Sequence, residues 1–136
     1  MALPNGAGGY QLGDGNLSEV NLTVQPTPPT ATTGATLTVA QITSGILLGS
    51  PGTTASAYTL PAVATLEATV SSAKVGSAFD FSVCNVNGSS TGVITMTAGT
   101  GWTVVGLATV AATAGTTGLF RAVKTGDATW SLYRLA

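Results

Sequence analysis

A stretch near the middle of the chain constrains the fold most, because its apolar side chains alternate strictly with polar ones. Residues 78–86 are Ala-Phe-Asp-Phe-Ser-Val-Cys-Asn-Val, which places Phe79, Phe81 and Val83 on one side of an extended chain. A period of two is typical of a β-strand with one buried face. We therefore predict a strand here, with both phenylalanines in the core.

The chain after this strand continues the β pattern. Asn87-Gly88 suits the positive φ angles of a tight hairpin turn, so the run 93–97 is predicted to return across the first strand. Gly76 is predicted to turn the chain into that strand. Three further apolar runs, each bounded by glycine or a polar turn, lie around 103–105, 119–123 and 130–135.

The chain before the central strand mixes strand and helix signals. Leu37 and Val39 alternate with threonine and alanine, which predicts a strand over Thr36–Ile42, and a second apolar run occupies 45–49. Pro61 is predicted at the first position of a helix of two to three turns, because its fixed φ angle suits that place. That helix should bury one face, formed by Val63, Leu66 and Val70.

These elements predict an all-β domain over residues 35–136. About eight or nine strands and one short helix, with turns roughly every ten residues, are typical of a sandwich or a small barrel. We predict a jelly-roll-like β-sandwich. The sequence leaves open which face of 119–124 is buried; with Phe120 inside, Lys124 should reach solvent through its long stem. The large core residues should be Phe79, Phe81, Trp102, Phe120 and Trp130.

Composition narrows the possible functions. The 136 residues suffice for about one domain, and only 7% are charged, against a usual share of about 25%. The net charge is −1 and the four basic residues are scattered, so we expect no nucleic-acid partner. No apolar run of about 18 residues is present, so we expect no membrane span. The start lacks the pattern of a secretory signal, and synthesis in the cytoplasm is expected, with Cys84 as an inert thiol.

Catalytic residue patterns are absent from the sequence. There is no histidine, which removes the commonest general base and most zinc sites. Glu67 and Asp80 are the pair that a glycosidase would need, but one is predicted on a helix and the other on the outer face of a strand. We therefore expect no enzyme activity, no cofactor and no metal.

Residues 1–34 differ from the rest and are predicted to form an extended arm and a proline-rich hinge. Five glycines in the first fifteen positions cannot hold a regular element alone. One alternative is an extra strand of the chain's own sheet or a poorly ordered terminus. The interpretation that we favour is an arm that orders by lying on a neighbouring subunit, because its apolar side chains need burial. The predicted partner-binding residues are Tyr10, Leu12, Leu17, Val20, Leu22 and Val24.

Several segments resemble the small decoration, or cement, proteins on the heads of tailed bacteriophages. The likeness spans nearly the whole chain and is carried by Gly6-Ala-Gly-Gly-Tyr-Gln-Leu-Gly-Asp-Gly-Asn16, Leu37-Thr-Val39, Tyr58-Thr-Leu-Pro61, Val75-Gly-Ser-Ala-Phe-Asp-Phe-Ser-Val83, Ala98-Gly-Thr-Gly-Trp102 and Trp130-Ser-Leu-Tyr-Arg-Leu135. The resemblance implies a virion protein on the capsid exterior that reinforces contacts between major capsid subunits. It implies no catalytic residues.

Two further expectations accompany this resemblance. We expect a symmetric homo-oligomer, with a trimer favoured over a dimer, because a small neutral domain with an apolar arm leaves surface to cover. The alternative function is a receptor- or carbohydrate-binding module of a phage fibre or tail. That function needs exposed aromatic side chains near acids or amides, and aromatic residues are only 6% of the chain.

Overall fold

The computed structural model describes residues 22–136, which form two β-sheets and two short helices. The helices are α1 (Val39–Thr43) and α2 (Val63–Thr69). The nine strands in this part of the chain are β1 (Thr30–Ala31), β2 (Ile46–Gly49), β3 (Ser56–Thr59), β4 (Ala78–Asn85), β5 (Ile94–Thr97), β6 (Trp102–Val105), β7 (Thr109–Val110), β8 (Thr116–Gly126) and β9 (Thr129–Arg134). This part of the chain is therefore β-rich, as the sequence predicted, although it contains two helices rather than one.

Six strands form the larger sheet, in the order β1-β2-β4-β8-β9-β6. Its centre is antiparallel, because β4 pairs with β8 and β8 with β9. Its flanks are parallel, since β1 pairs with β2, β2 with β4, and β6 with β9. The predicted central strand is β4, and Gly76 precedes it with a φ of +94°, as expected for a turn that favours glycine.

The smaller sheet has the order β3-β5-β7, with β3 and β5 parallel and β5 and β7 antiparallel. The predicted hairpin is therefore wrong, because β5 lies in a different sheet from β4. The loop after β4 is held by the buried side chain of Asn85 instead. Its Oδ1 accepts from the Gly88 amide at 2.6 Å, and its Nδ2 donates to the carbonyls of Gly92 at 2.9 Å and Ala111 at 3.0 Å.

Helix α1 occupies part of the segment that was predicted as a strand over Thr36–Ile42, so that prediction is wrong. Thr38 is the N-cap, and its hydroxyl oxygen accepts a hydrogen bond from the backbone N–H of Gln41 at 3.2 Å. The Gln41 side chain accepts from the Thr38 amide at 2.8 Å, which completes a capping box. Val39 and Ile42 are buried three residues apart, which places them on one face of a helix but would place them on opposite faces of a strand.

Helix α2 begins two residues later than predicted. Its N-cap is Ala62, so Pro61 precedes the helix and does not occupy its first position. The carbonyl of Pro61 accepts from Trp102 Nε1 at 2.7 Å, which ties the start of the helix to β6. The predicted apolar face is confirmed, since Val63 and Leu66 are buried and Val70 packs against the core.

One core joins both sheets, and aromatic rings fill much of it. Phe81 stacks on Phe120 with ring centroids 5.8 Å apart. The buried face of β8, which the sequence left open, is therefore the one that carries Phe120. The ring centroids of Trp102 and Trp130 are 6.0 Å apart. Phe79 is half-buried, with its ring centroid 5.8 Å from that of Trp130. The predicted aromatic core is thus confirmed for Phe81, Trp102, Phe120 and Trp130, whereas Phe79 packs against its margin.

Tyr58 of the smaller sheet is a large core residue that the sequence predictions did not include. It is fully buried, and burial raises the pKa of its phenol. Its hydroxyl donates to the carbonyl of Ala31 at 2.9 Å, which links β3 to β1. Gly49 makes room for this ring: a Cβ there would collide with Ile94 and lie 3.1 Å from Tyr58, so the two sheets approach closely at this point.

Candidate partner-binding surfaces

The described part of the predicted arm begins at residue 22 and carries two exposed apolar side chains there. Leu22 and Val24 are 89% and 95% exposed, and residues 22–29 belong to no helix or strand. Aliphatic groups of this size gain about 1.5–3 kcal/mol each when fully buried. The other predicted arm residues, Tyr10, Leu12, Leu17 and Val20, lie outside the described residues.

The chain becomes fastened to the domain directly after Val24. Gln25 Nε2 donates to the carbonyl of Ser44 at 2.7 Å, at the end of α1. Further on, the carbonyl of Pro29 accepts from the Leu48 amide at 2.9 Å, and β1 then pairs with β2. The segment from Gln25 to Ala31 therefore lies against the domain, and the exposed apolar side chains stand just before it.

A second apolar surface lies at the opposite side of the larger sheet, where β6 is the last strand. Val105 and Tyr133 are neighbours in the β6–β9 register and are both exposed. Leu107 and Leu135 follow them and line an open cleft of about 430 Å³ together with Arg134. We call this surface the edge patch; it consists of Val105, Leu107, Tyr133 and Leu135. The sequence analysis did not identify it, because only the β6–β9 pairing brings its two halves together.

An ion pair lies on the outer face of the same sheet. Asp80 and Arg121 are directly opposite in the β4–β8 register, and the guanidinium donates to both carboxylate oxygens, at 2.7 Å and 2.9 Å. Hydrogen bonds from Arg121 lower the pKa of the Asp80 carboxyl. Because both groups are exposed, this pair adds little to stability; its effect is to neutralise the middle of the outer face.

A second ion pair connects α2 with the other face of the sheet. Lys124 donates to Glu67 Oε2, and Trp130 Nε1 donates to the same oxygen at 2.9 Å. Lys124 is only 8% exposed, so the prediction that it reaches solvent is wrong. The carboxylate of Glu67 provides the partner that a buried ammonium group needs. The hydrogen bonds from Lys124 and then Trp130 lower the pKa of Glu67.

The two acids of the hypothetical glycosidase pair are not brought together. Asp80 shares the outer face with Arg121, whereas Glu67 meets Lys124, which lies on the face of β8 that also carries Phe120. Each carboxylate therefore has its own cation, on opposite faces of the sheet. Among residues 22–136 there is also no cluster of three or more histidine, cysteine, aspartate or glutamate side chains that could hold a metal ion.

The Glu67 pair predicts how stability depends on pH. A carboxyl with a lowered pKa in the folded state stabilises the fold above its unfolded pKa of about 4.3, and that stability is lost as the pH falls through the folded pKa. The Glu67→Gln variant should therefore melt at a lower temperature than the parent at pH 7, with a smaller difference at pH 2–3. Thermal unfolding followed by circular dichroism between pH 7 and pH 2 measures this.

Asp127→Asn is the matched control for that experiment. Asp127 lies in the exposed turn between β8 and β9 and takes part in neither ion pair. Its substitution should leave the melting temperature close to that of the parent at pH 7. Equal melting temperatures for Glu67→Gln and the parent at pH 7 would show that the contact with Lys124 does not stabilise the fold.

In the described residues, no helix is both long and apolar enough to cross a membrane. No protein-family model matches the chain, and no match was found among curated proteins or among solved structures.

Proposed function

We propose that this protein is a structural virion protein that binds the outer surface of a phage capsid and stabilises contacts between major capsid subunits. The observation that carries the proposal is the exposure of two apolar side chains where the arm meets the domain. Leu22 and Val24 are almost fully exposed, although Gln25 beside them is fastened to the domain. Burial of such side chains on a partner offsets the backbone entropy of about 1–2 kcal/mol per residue that ordering the arm costs.

The body of the protein has features that support a binding role of this kind. Two of the three described acids are paired with cations, so a partner surface can approach with little desolvation of isolated charges. Repetition on a symmetric shell then turns modest contacts into strong retention, because a molecule held by one contact presents the next at a high effective concentration. Such a protein needs contact area and stability and does not need a reactive pocket.

For the finer architecture, we propose a jelly-roll-like layering of the two sheets. Support comes from the single core to which both sheets contribute. The pairing differs from that of a purely antiparallel jelly roll, since four of the seven strand pairs in residues 22–136 are parallel. The likeness therefore concerns the layers and not the order of the strands.

The alternative, a carbohydrate- or receptor-binding module, receives less support from the surface. Binding to a sugar ring commonly uses an exposed aromatic face with polar groups around it. Both tryptophans are buried, and Tyr133 is the one large aromatic among the exposed apolar residues of the described chain. Its neighbours are the aliphatic side chains of the edge patch and, across the β8–β9 register, Arg121, whose guanidinium is already paired with Asp80.

The proposal predicts that substitutions in the arm reduce binding to heads without reducing stability. We expect the double variant Leu22→Ser and Val24→Ser to unfold within about 0.5 kcal/mol of the parent per substitution, because both side chains are exposed. Its occupancy on purified phage heads should fall at least ten-fold at a subsaturating concentration, since each lost burial is worth about 1.5–3 kcal/mol. Gel densitometry of sedimented heads measures occupancy.

Val75→Ser is the matched control, because Val75 is also an exposed apolar residue but belongs to the loop between α2 and β4. It should bind heads as the parent does. Deletion of residues 1–24, which ends just before Gln25, should reproduce the loss of occupancy and leave a soluble domain. Full occupancy by the double variant would contradict the role of the arm, and failure of the truncated chain to fold would show that the arm belongs to the domain's own sheet.

A further inference from the structure

We propose that residues 17–22 of one copy bind to the edge patch of a second copy by adding a strand beside β6. The inference rests on the proposed role of the arm as the partner-binding segment, and it identifies a sister subunit as the surface that the arm contacts. Residues 17–21 lie outside the described part of the chain, whereas the surface that would receive them lies within it.

The receiving surface has an open strand edge and an apolar covering. Within the described residues β6 pairs only with β9, so its other edge presents unpaired backbone groups, which is the geometry used in strand addition. Leu107, just after β6, is 72% exposed, and Leu135, just after β9, is 46% exposed and lines the same cleft. In the arm, Val20 and Leu22 alternate with polar residues, so an added strand would place both on the same face.

Charge favours the same pairing. Arg134 lines the cleft of the edge patch and donates to main-chain oxygens of Thr109 and Ala136, but no Asp or Glu side chain among residues 22–136 pairs with it. The chain before residue 22 carries two acids, Asp14 and Glu19, and no Lys or Arg. Glu19 lies within the proposed segment, where its carboxylate can meet the guanidinium of Arg134.

Chain length favours a sister copy over the molecule's own patch. The arm leaves the domain at Gln25, next to Ser44, and β2 is four strand spacings from β6, or about 19 Å. The six residues from Gln25 to Glu19 span at most about 20 Å when fully extended. Binding within one molecule would therefore need a taut chain across the width of the sheet, whereas a neighbouring copy imposes no such limit.

This contact joins two different surfaces, the arm side of one subunit and the β6 side of the next. A head-to-tail contact of that type produces a ring when the rotation between subunits closes. The trimer favoured from the sequence is one such ring. A symmetric dimer formed by two β6 edges would instead leave both arms without this site.

The test uses cross-linking between full-length chains in the absence of phage heads. In a Cys84→Ser background, one preparation carries Val20→Cys and a second carries Leu107→Cys; the two are mixed and treated with a short thiol-reactive bifunctional reagent. We expect a covalent dimer in at least ten-fold greater yield than from Val20→Cys mixed with Val75→Cys. A yield no greater than that control would overturn the proposal.

A chain that carries both Val20→Cys and Leu107→Cys shows whether the arm on the edge patch comes from the same chain or from a neighbouring one. Cross-linking that remains within single chains at all concentrations, with none between the mixed preparations, would also overturn the proposal, because the arm would then occupy its own patch. As an independent measurement, Leu107→Asp should weaken self-association at least ten-fold in sedimentation equilibrium, and Val75→Asp should not. Unchanged association of Leu107→Asp would contradict the proposal.

These outcomes are separable from those of the proposed function. Heads that bind the parent protein while no cross-link forms between chains would remove the sister-subunit contact and leave the capsid role intact. A cross-link between chains that bind no heads would do the reverse.

Discussion

Phe81→Ala should lower the free energy of unfolding by about 3–5 kcal/mol, the range for an aromatic ring removed from a packed core. Phe81 is almost completely buried, and its ring contacts those of Phe120 and Phe79, with centroids at 5.8 Å and 6.2 Å. It lies on β4, where the larger sheet changes from parallel to antiparallel pairing. Because small proteins have a total stability of only about 5–15 kcal/mol, the variant should be partly unfolded at 37 °C.

Urea unfolding followed by tryptophan fluorescence measures this loss, since both tryptophans belong to the same core. Ser82→Ala is the control, because Ser82 is the next residue along β4 and faces the outer side. It should change stability by less than about 0.5 kcal/mol. An unchanged unfolding midpoint for Phe81→Ala would mean that the inner face of β4 has been assigned incorrectly.

Asn85→Ala should have an effect of similar size, about 3–5 kcal/mol, for a different reason. The side chain is fully buried and makes three hydrogen bonds to the backbone, at Gly88, Gly92 and Ala111. Its removal leaves one amide and two carbonyls without that partner, and each buried polar group left unsatisfied costs about 1–3 kcal/mol. The loop between β4 and β5 and the segment after β7 should loosen together.

Hydrogen exchange measured by NMR, combined with urea unfolding, tests this prediction. Asn87→Ala is the matched control, because Asn87 lies in the same loop, is exposed and accepts one hydrogen bond, from the Gly52 amide at 3.0 Å. Its loss should cost about 1 kcal/mol or less. If both asparagine variants lose the same stability, Asn85 does not organise the loop as described.

The strands with a clear period of two were predictable from the sequence, and β4 is the best example. Phe79, Phe81 and Val83 turn inward as the alternation indicated, because the pleat of a strand directs alternate side chains to one face. The same rule could not decide β8, where both faces carry apolar residues. The tertiary structure decides it by placing Phe120 on Phe81.

Helix α1 shows how a short segment can satisfy two periods. Leu37 and Val39 alternate, yet Val39 and Ile42 also have helical spacing, and both pairs are buried. The capping pattern Thr38-Val-Ala-Gln41 is the sequence signal that favours the helix. Local hydrogen bonds at the helix start outweighed the apparent alternation.

The pairing of strands was the least predictable part, because parallel partners are far apart in sequence and leave no local mark. Asn87-Gly88 matched a hairpin pattern, but Asn85 draws the Gly88 amide inward and the chain passes to the other sheet. The long separation of paired strands in the sequence also explains why one candidate binding surface was predictable and the other was not. The arm was visible as an apolar, glycine-rich segment, whereas the edge patch exists only because β6 lies parallel to β9.

Binding of the full-length protein to purified phage heads tests the central claim most directly. Heads stripped of minor proteins are titrated with the chain, and both the bound copy number and the temperature of genome release are measured. We expect saturable binding at a stoichiometry fixed by the shell symmetry, together with a higher release temperature at saturation. The heads and virions are taken from a phage that encodes this protein. If these heads bind none of the protein, and mass spectrometry detects none of it in the virions, the assignment as a capsid-stabilising protein is contradicted.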